Sequence, residues 1–103
     1  MLLSQEHTTH ITCSDFIEEY CIIYDLDLKP VRGAYLKGRD SISYKILVYL
    51  LRYQFRLSYR LIGLLTHRTH QDIHYHYKST KSSPFYRQEA IRRFNNVRSV
   101  YED

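Results

Sequence analysis

The stretch Ser58–Lys78, SYRLIGLLTHRTHQDIHYHYK, decides the fold. Ser58 can accept the first free N–H groups of a helix, and Leu61, Ile62, Leu64 and Leu65 follow it at helical spacing. Thr66, His67 and Arg68 read as a turn. Thr69 can cap a second helix, with Asp72 at its third position, where the positive end of the helix dipole favours an acid. In that register Ile73 and Tyr77 face inward. Gln71, His74 and Lys78 face outward, and His70 sits at the exposed N-terminal end. Two helices joined by a turn of about three residues form a helix-turn-helix pattern. An αα-hairpin with a solvated outer face fits the spacing equally well.

Upstream, Asp40 or Ser41 can cap a longer helix running to about Gln54. Ile42, Ile46, Tyr49, Leu50 and Tyr53 line one side of it, and Leu47 and Leu51 widen the apolar arc, which makes it the central, most buried helix. Residues 29–40 are punctuated by Pro30, Gly33 and Gly38 and read as a basic loop. A first helix starts near Thr12 or Ser14, where Thr12 and Asp15 resemble a capping box. Its apolar stripe is Phe16, Ile17, Tyr20, Ile23 and Tyr24. Residues 1–11 show no period and read as a flexible arm. Downstream, the Ser-Thr run at 79–83 reads as a linker. Ser83 with Pro84 starts a last helix, with Tyr86, Ala90, Phe94, Val97 and Tyr101 on one face. The fold class expected is all-α, about five helices in one domain over residues 12–103.

With 103 residues, the chain has room for one domain and no more. Three Gly and two Pro leave little material for tight hairpins or Gly-rich phosphate loops. The longest apolar run, Ile46–Leu51, is far shorter than the ~20 residues a bilayer span needs, and the N-terminus lacks the features of a signal peptide, so no membrane partner is expected. Cys13 and Cys21 lie roughly 12 Å apart if both are on one helix, too far for a disulfide, and read as small buried residues of a reducing, cytoplasmic setting.

The net charge of +4 is unevenly spread. Residues 1–28 hold six acids and no Lys or Arg, whereas residues 29–103 hold all fifteen bases and five acids, a formal +10. Such a field favours polyanions. The start of the second helix of the central stretch offers Arg68, Thr69, His70, Gln71 and Asp72. Arg can pair with guanine O6 and N7, Gln with adenine, and Asp can accept from cytosine N4. The partner expected is double-stranded DNA, read in the major groove.

Further residues carry a resemblance. Tyr20, Ile23, Asp27 and Leu28 keep the spacing Y-x-x-[IV]-x-x-x-D-L. A basic loop, Tyr49-Leu50-Leu51-Arg52, the pair Ile62-Gly63 and Arg68-Thr69-His70-Gln71-Asp72-Ile73 follow in order. Over roughly residues 12–101 the chain resembles the C-terminal double-stranded-DNA-binding domain of the bacterial replication initiator DnaA. The resemblance implies DNA contacts at Arg68 and His70, with Gln71 and Asp72 where that family's two base-reading threonines stand. It implies phosphate contacts at Lys45 and Arg52, and a minor-groove reach from the basic loop, with Arg32, Lys37 and Arg39 as candidates. Lys78, on the outward face of the second helix, joins the phosphate set. The chain departs from the family at Thr66 and His67, which replace two glycines, at Thr69 for Asp, and at Gln71-Asp72. These changes alter the base-reading surface, so recognition of that family's usual origin site is not implied. The ATPase portion of the family has no counterpart here.

Other chemistries fit less well. His67, His70 and His74 fall at i, i+3 and i+7, but a closed zinc site wants four ligands and both cysteines are distant in sequence. No nucleophile–base arrangement and no Gly-rich nucleotide loop is present. No enzyme activity, metal, cofactor or nucleotide is expected. Asp15, Glu18 and Glu19 form a solvated face on the first helix that could dock a basic protein. The eleven tyrosines could stack on single-stranded bases, although most sit in apolar stripes that suit core packing. The role expected is sequence-specific duplex binding in replication initiation or its regulation, for a host or a mobile element. The alternative is an interaction module that keeps the shape without DNA specificity.

Overall fold

The computed structural model describes residues 11–28 and 39–101, and among them every regular element is a helix. The five helices are α1 (Cys13–Ile23), α2 (Arg39–Tyr53), α3 (Tyr59–Thr66), α4 (His70–Lys81) and α5 (Pro84–Ser99). Each cap the sequence suggests at 12, 58, 69 and 83 is made. The Thr12, Ser58, Thr69 and Ser83 hydroxyl oxygens accept from the N–H groups of Asp15, Leu61, Asp72 and Tyr86 at 3.0–3.2 Å. A satisfied cap is worth about 1 kcal/mol.

α2 is the axle of the fold. From Ser43 to Leu51 every residue except Lys45 is buried, and α2 packs against all four other helices. Phe16 and Tyr20 of α1, Ile62 of α3, Ile73 of α4, and Ala90, Phe94 and Val97 of α5 close over it. Burying each large apolar side chain contributes about 1.5–3 kcal/mol, and this wraparound burial makes the short helices stable.

A buried polar network ties α1, α2 and α5. The Tyr20 hydroxyl donates to the Ser43 carbonyl at 2.6 Å. Arg93 donates to the Tyr20 hydroxyl at 3.1 Å, to Ser43 Oγ at 2.9 Å and to Glu89 at 2.7 Å. Its guanidinium also lies 4.2 Å from the centre of the Tyr24 ring. Burial pushes the Tyr20 phenol far above its ordinary pKa.

The structure departs from the sequence reading in three places. α2 begins at Arg39 rather than after Asp40 or Ser41, a boundary shift of ordinary size, and ends at Tyr53, next to the expected Gln54. The segment read as a linker is mostly helix: α4 runs to Lys81, leaving Ser82 and Ser83 as the connection. The reason is Thr80, fully buried with its hydroxyl 3.4 Å from the Lys45 carbonyl. That tertiary contact outweighs the weak helix propensity of the Ser-Thr run. Ile23, assigned to the apolar stripe of α1, is 40% exposed at the end of the helix. On α3, Ile62, Gly63 and Thr66 are buried, while Leu61, Leu64 and Leu65, to which the spacing assigned no direction, face outward. The reading of a flexible arm falls on residues 1–10, outside the described residues, while Ile11 packs against the core. The basic loop over 29–38 also lies outside them.

Candidate nucleic-acid interface

α3 stops at Thr66 because the backbone turns left-handed at His67 (φ 61°, ψ 42°). The N–H groups of His67 and Arg68 both reach the Gly63 carbonyl, the latter at 2.9 Å. The turn folds so tightly over α3 that a Cβ on Gly63 would sit 2.5 Å from the Arg68 carbonyl oxygen. Only glycine fits there. Three residues, 67–69, thus separate α3 from α4, and Thr69 caps the new helix.

The turn is held from below by Tyr44 of α2. The buried Tyr44 hydroxyl shares a 3.0 Å hydrogen bond with the Thr66 hydroxyl, which also donates to the Ile62 carbonyl at 2.8 Å. Burial pushes the Tyr44 phenol up to about 12, against the opposing pull of Thr66 and Arg68. The Arg68 guanidinium lies 5.4 Å from the Tyr44 ring centre and donates to the His67 carbonyl at 3.3 Å. Arg68 is therefore half-buried and drawn back along the turn.

Thr69, His70, Gln71 and Asp72 are all exposed on the first turn of α4. The Asp72 N–H is taken by the Thr69 hydroxyl, and the helix dipole with the remaining N–H groups of this turn makes that end attractive to anions. Asp72 is the one acid of this turn. Further along, Gln71, His74, Tyr75 and Lys78 line a shallow depression with Ser79 and Ser82. The inner side of α4 is fixed by Ile73 and Thr80, both fully buried. His76 is half-buried edge-on against Tyr44, with ring centres 5.2 Å apart. Desolvation lowers its pKa, Lys45 and Arg68 add to that, and Asp72 opposes them.

Tyr75 is missing from the set chosen by sequence. It is 64% exposed, one turn after Gln71 and three residues before Lys78. That register was available in the sequence, but tyrosines in this chain read as core. His74 faces outward in both the sequence and the structure without having been given a contact role.

The other chosen residues are distributed differently. Lys45 is half-buried on the side of α2 facing α4, close enough to act on His76. Lys78 is exposed on α4 itself. Arg52 is engaged within the fold: it donates to the Leu57 carbonyl at 3.0 Å and covers the Tyr59 ring at 4.6 Å, clamping the junction of α2 and α3. Arg32 and Lys37 lie outside the described residues, and Arg39 enters only as the first residue of α2.

His67 leaves the helical register of His70 and His74 because of its left-handed backbone. Among the described residues no group of three or more His, Cys, Asp or Glu is placed to hold a metal ion. Among the same residues no helix is long and apolar enough to cross a membrane. No family model, curated protein or solved structure matches the chain.

Proposed function

We propose that this chain binds double-stranded DNA sequence-specifically, with α4 lying in the major groove. The observation that carries this reading is the outer face of α4. His70, Gln71, His74, Tyr75 and Lys78 are all exposed along it, on a helix whose opposite face is locked into the core by Ile73 and Thr80. A rigid helix with a polar outer face and an accessible N-terminus is the geometry that major-groove reading requires. His70, Gln71 and Tyr75 are assigned to base edges. Asp72, beside them, selects cytosine and repels a misplaced phosphate. Thr69 caps the helix against the backbone. Arg68 contributes from the turn with the donors that His67 leaves unused. Lys45 and Lys78 anchor phosphates, while Arg52 acts mainly through the fold.

The resemblance to the DnaA C-terminal domain directs this activity to replication initiation or its regulation in the cytoplasm, as an occupant of DNA sites. Selection from a random duplex pool, followed by sequencing, tests the reading. An enriched motif whose affinity falls steeply with salt supports it. A pool that stays random at low salt overturns it.

A second reading has its own observation. Leu61, Leu64 and Leu65 are 41%, 67% and 40% exposed at i, i+3 and i+4 on α3. An apolar stripe of this kind suits a protein partner, and in that reading the unit is an interaction module. Leu64→Glu separates the two: it leaves duplex binding intact if α4 is the working surface.

A further inference from the structure

A cleft of about 430 Å³ opens between α2, α4 and α5, on the flank of α4 that turns away from its outer face. That volume lies within the range of small-ligand sites, about 300–1,000 Å³. One wall is a set of near-parallel tyrosine rings. Tyr49 stacks with Tyr53 at 5.4 Å with planes 8° apart, and with Tyr77 at 5.5 Å with planes 19° apart. Lys81, one turn beyond Tyr77, places its ammonium 5.8 Å from that ring's centre. Arg87 of α5 enters from the other side, near enough to act on the Tyr49 phenol. The amides of Gln54 and Gln88 complete the polar lining. No Asp or Glu lines the cleft among the described residues.

Core packing accounts for Tyr49, which is 6% exposed. It does not account for Tyr53 and Tyr77 remaining partly open beside two cations with no acid between them. Parallel rings favour a planar aromatic partner. Lys and Arg on the rim favour an attached anion, with Arg able to hold a phosphate through two hydrogen bonds. Glutamine amides can pair with the edge of a base. A ring, an anion and a hydrogen-bonding edge together describe a nucleotide. A Gly-rich phosphate loop is not needed when side-chain cations hold the phosphate.

We infer that this cleft binds a nucleotide unit whose base is unpaired, stacked against Tyr53 and Tyr77 with its phosphate between Lys81 and Arg87. A free mononucleotide and an unpaired stretch of a nucleic-acid strand both present this chemistry. The ring series continues from Tyr77 to Tyr59 at 6.0 Å and on to His74 at 5.0 Å, so the cleft is linked to the outer face of α4 by aromatic contacts. The inference does not depend on duplex reading by that face.

The test titrates the full chain with adenosine 5′-monophosphate by calorimetry. A parallel titration uses a fluorescein-labelled deoxyadenosine strand of about twelve nucleotides by anisotropy. Arg87→Ala and Tyr53→Leu are compared with the parent chain, and circular dichroism confirms that each folds. Saturable binding of either probe, weakened at least about fivefold in Arg87→Ala with its circular dichroism unchanged, supports the site. Binding of the mononucleotide identifies a free-ligand pocket, and binding of the strand alone identifies a nucleic-acid subsite. No binding of either probe at low salt overturns the inference. So does binding that weakens less than about fivefold in a folded Arg87→Ala. If Tyr53→Leu does not fold, Arg87→Ala decides the matter, because Arg87 is exposed.

Discussion

Where α1 meets α5, Phe16 is wholly buried against Phe55, Phe94 and the equally buried Tyr20, and Arg93 donates to the Tyr20 hydroxyl. Where α3 meets α4, Ile62 and Ile73 are buried, while Leu61, Leu64 and Leu65 face outward. The first region is held by area and by a connected polar network. The second is held by a few fixed points: the close approach at Gly63, the Tyr44–Thr66 hydrogen bond and the Thr80 contact. The difference is one of chemistry: large rings and an arginine network at one end, and small residues with a close backbone approach at the other, where α4 keeps an exposed polar face. Burial removes side chains from partners, so the face of α4 that the proposal assigns to DNA has to lie opposite the buried Ile73 and Thr80.

The largest effect that can break this contrast is at Phe16. Phe16→Ala removes a ring packed against three others and costs about 3–5 kcal/mol in urea denaturation. A loss below about 1 kcal/mol would mean that the α1–α5 end is not the stabilising one. Gly63→Ala comes next. Alanine normally favours a helix by about 1 kcal/mol, but here its methyl meets the Arg68 carbonyl. The net expectation is a loss of about 1–3 kcal/mol of stability, with duplex affinity falling through displacement of the turn.

Substitutions on the outer face sharpen the contrast by separating binding from stability. His70→Ala or Gln71→Ala costs about 1–3 kcal/mol on the preferred duplex and blurs sequence choice, with stability changed by no more than about 0.5 kcal/mol. Lys45→Ala weakens all duplexes alike and lowers the salt slope by about one. Identical behaviour of the two classes in a gel-shift salt series would remove the division between reading and anchoring.

Acid probes the stable end. Hydrogen bonds from Arg92, with Arg93 adding, hold the Glu89 carboxyl down at about 2, against an ordinary value of 4.5. A depressed carboxyl contributes its full stabilisation above the ordinary value and loses it as pH falls through the folded one. Urea midpoints should therefore drop between about pH 4.5 and 2, and the drop should shrink in Glu89→Gln. The smallest effect is at the turn. His67 holds a left-handed backbone that glycine adopts without strain. His67→Gly is expected to raise stability by a few tenths to about 1 kcal/mol, read as a shift in urea midpoint.

Much of this was legible from local pattern. Thr12, Ser58, Thr69 and Ser83 announced their helices because a capping hydroxyl acts within three residues of itself. Periodicity placed Ile46–Leu51 at the centre because an apolar arc that wide has to be covered on several sides. The face of α4 bearing Gln71, His74 and Lys78 followed from register alone. What escaped depended on distant residues. Thr80 is helical because the Lys45 carbonyl waits beside it, 35 residues earlier in the chain. Arg52, which the resemblance gives a phosphate role, also donates to the Leu57 carbonyl and covers the Tyr59 ring, a double engagement that no local pattern shows. Tyr75 received no role although it lies one turn after Gln71, because tyrosines in apolar stripes suit core packing; it is exposed.

The sequence by itself determined the number of helices, four of their caps, the identity of the central helix and the polar edge of α4. These depend on interactions within a turn or two of the chain. Tertiary structure alone decided which of the α3 leucines stay in solvent, why Gly63 has to be glycine, how Arg68 is drawn over Tyr44, and that Tyr49, Tyr53 and Tyr77 share one cleft with Lys81 and Arg87. Those outcomes depend on which surfaces meet when helices distant in sequence pack, and no local pattern encodes that meeting.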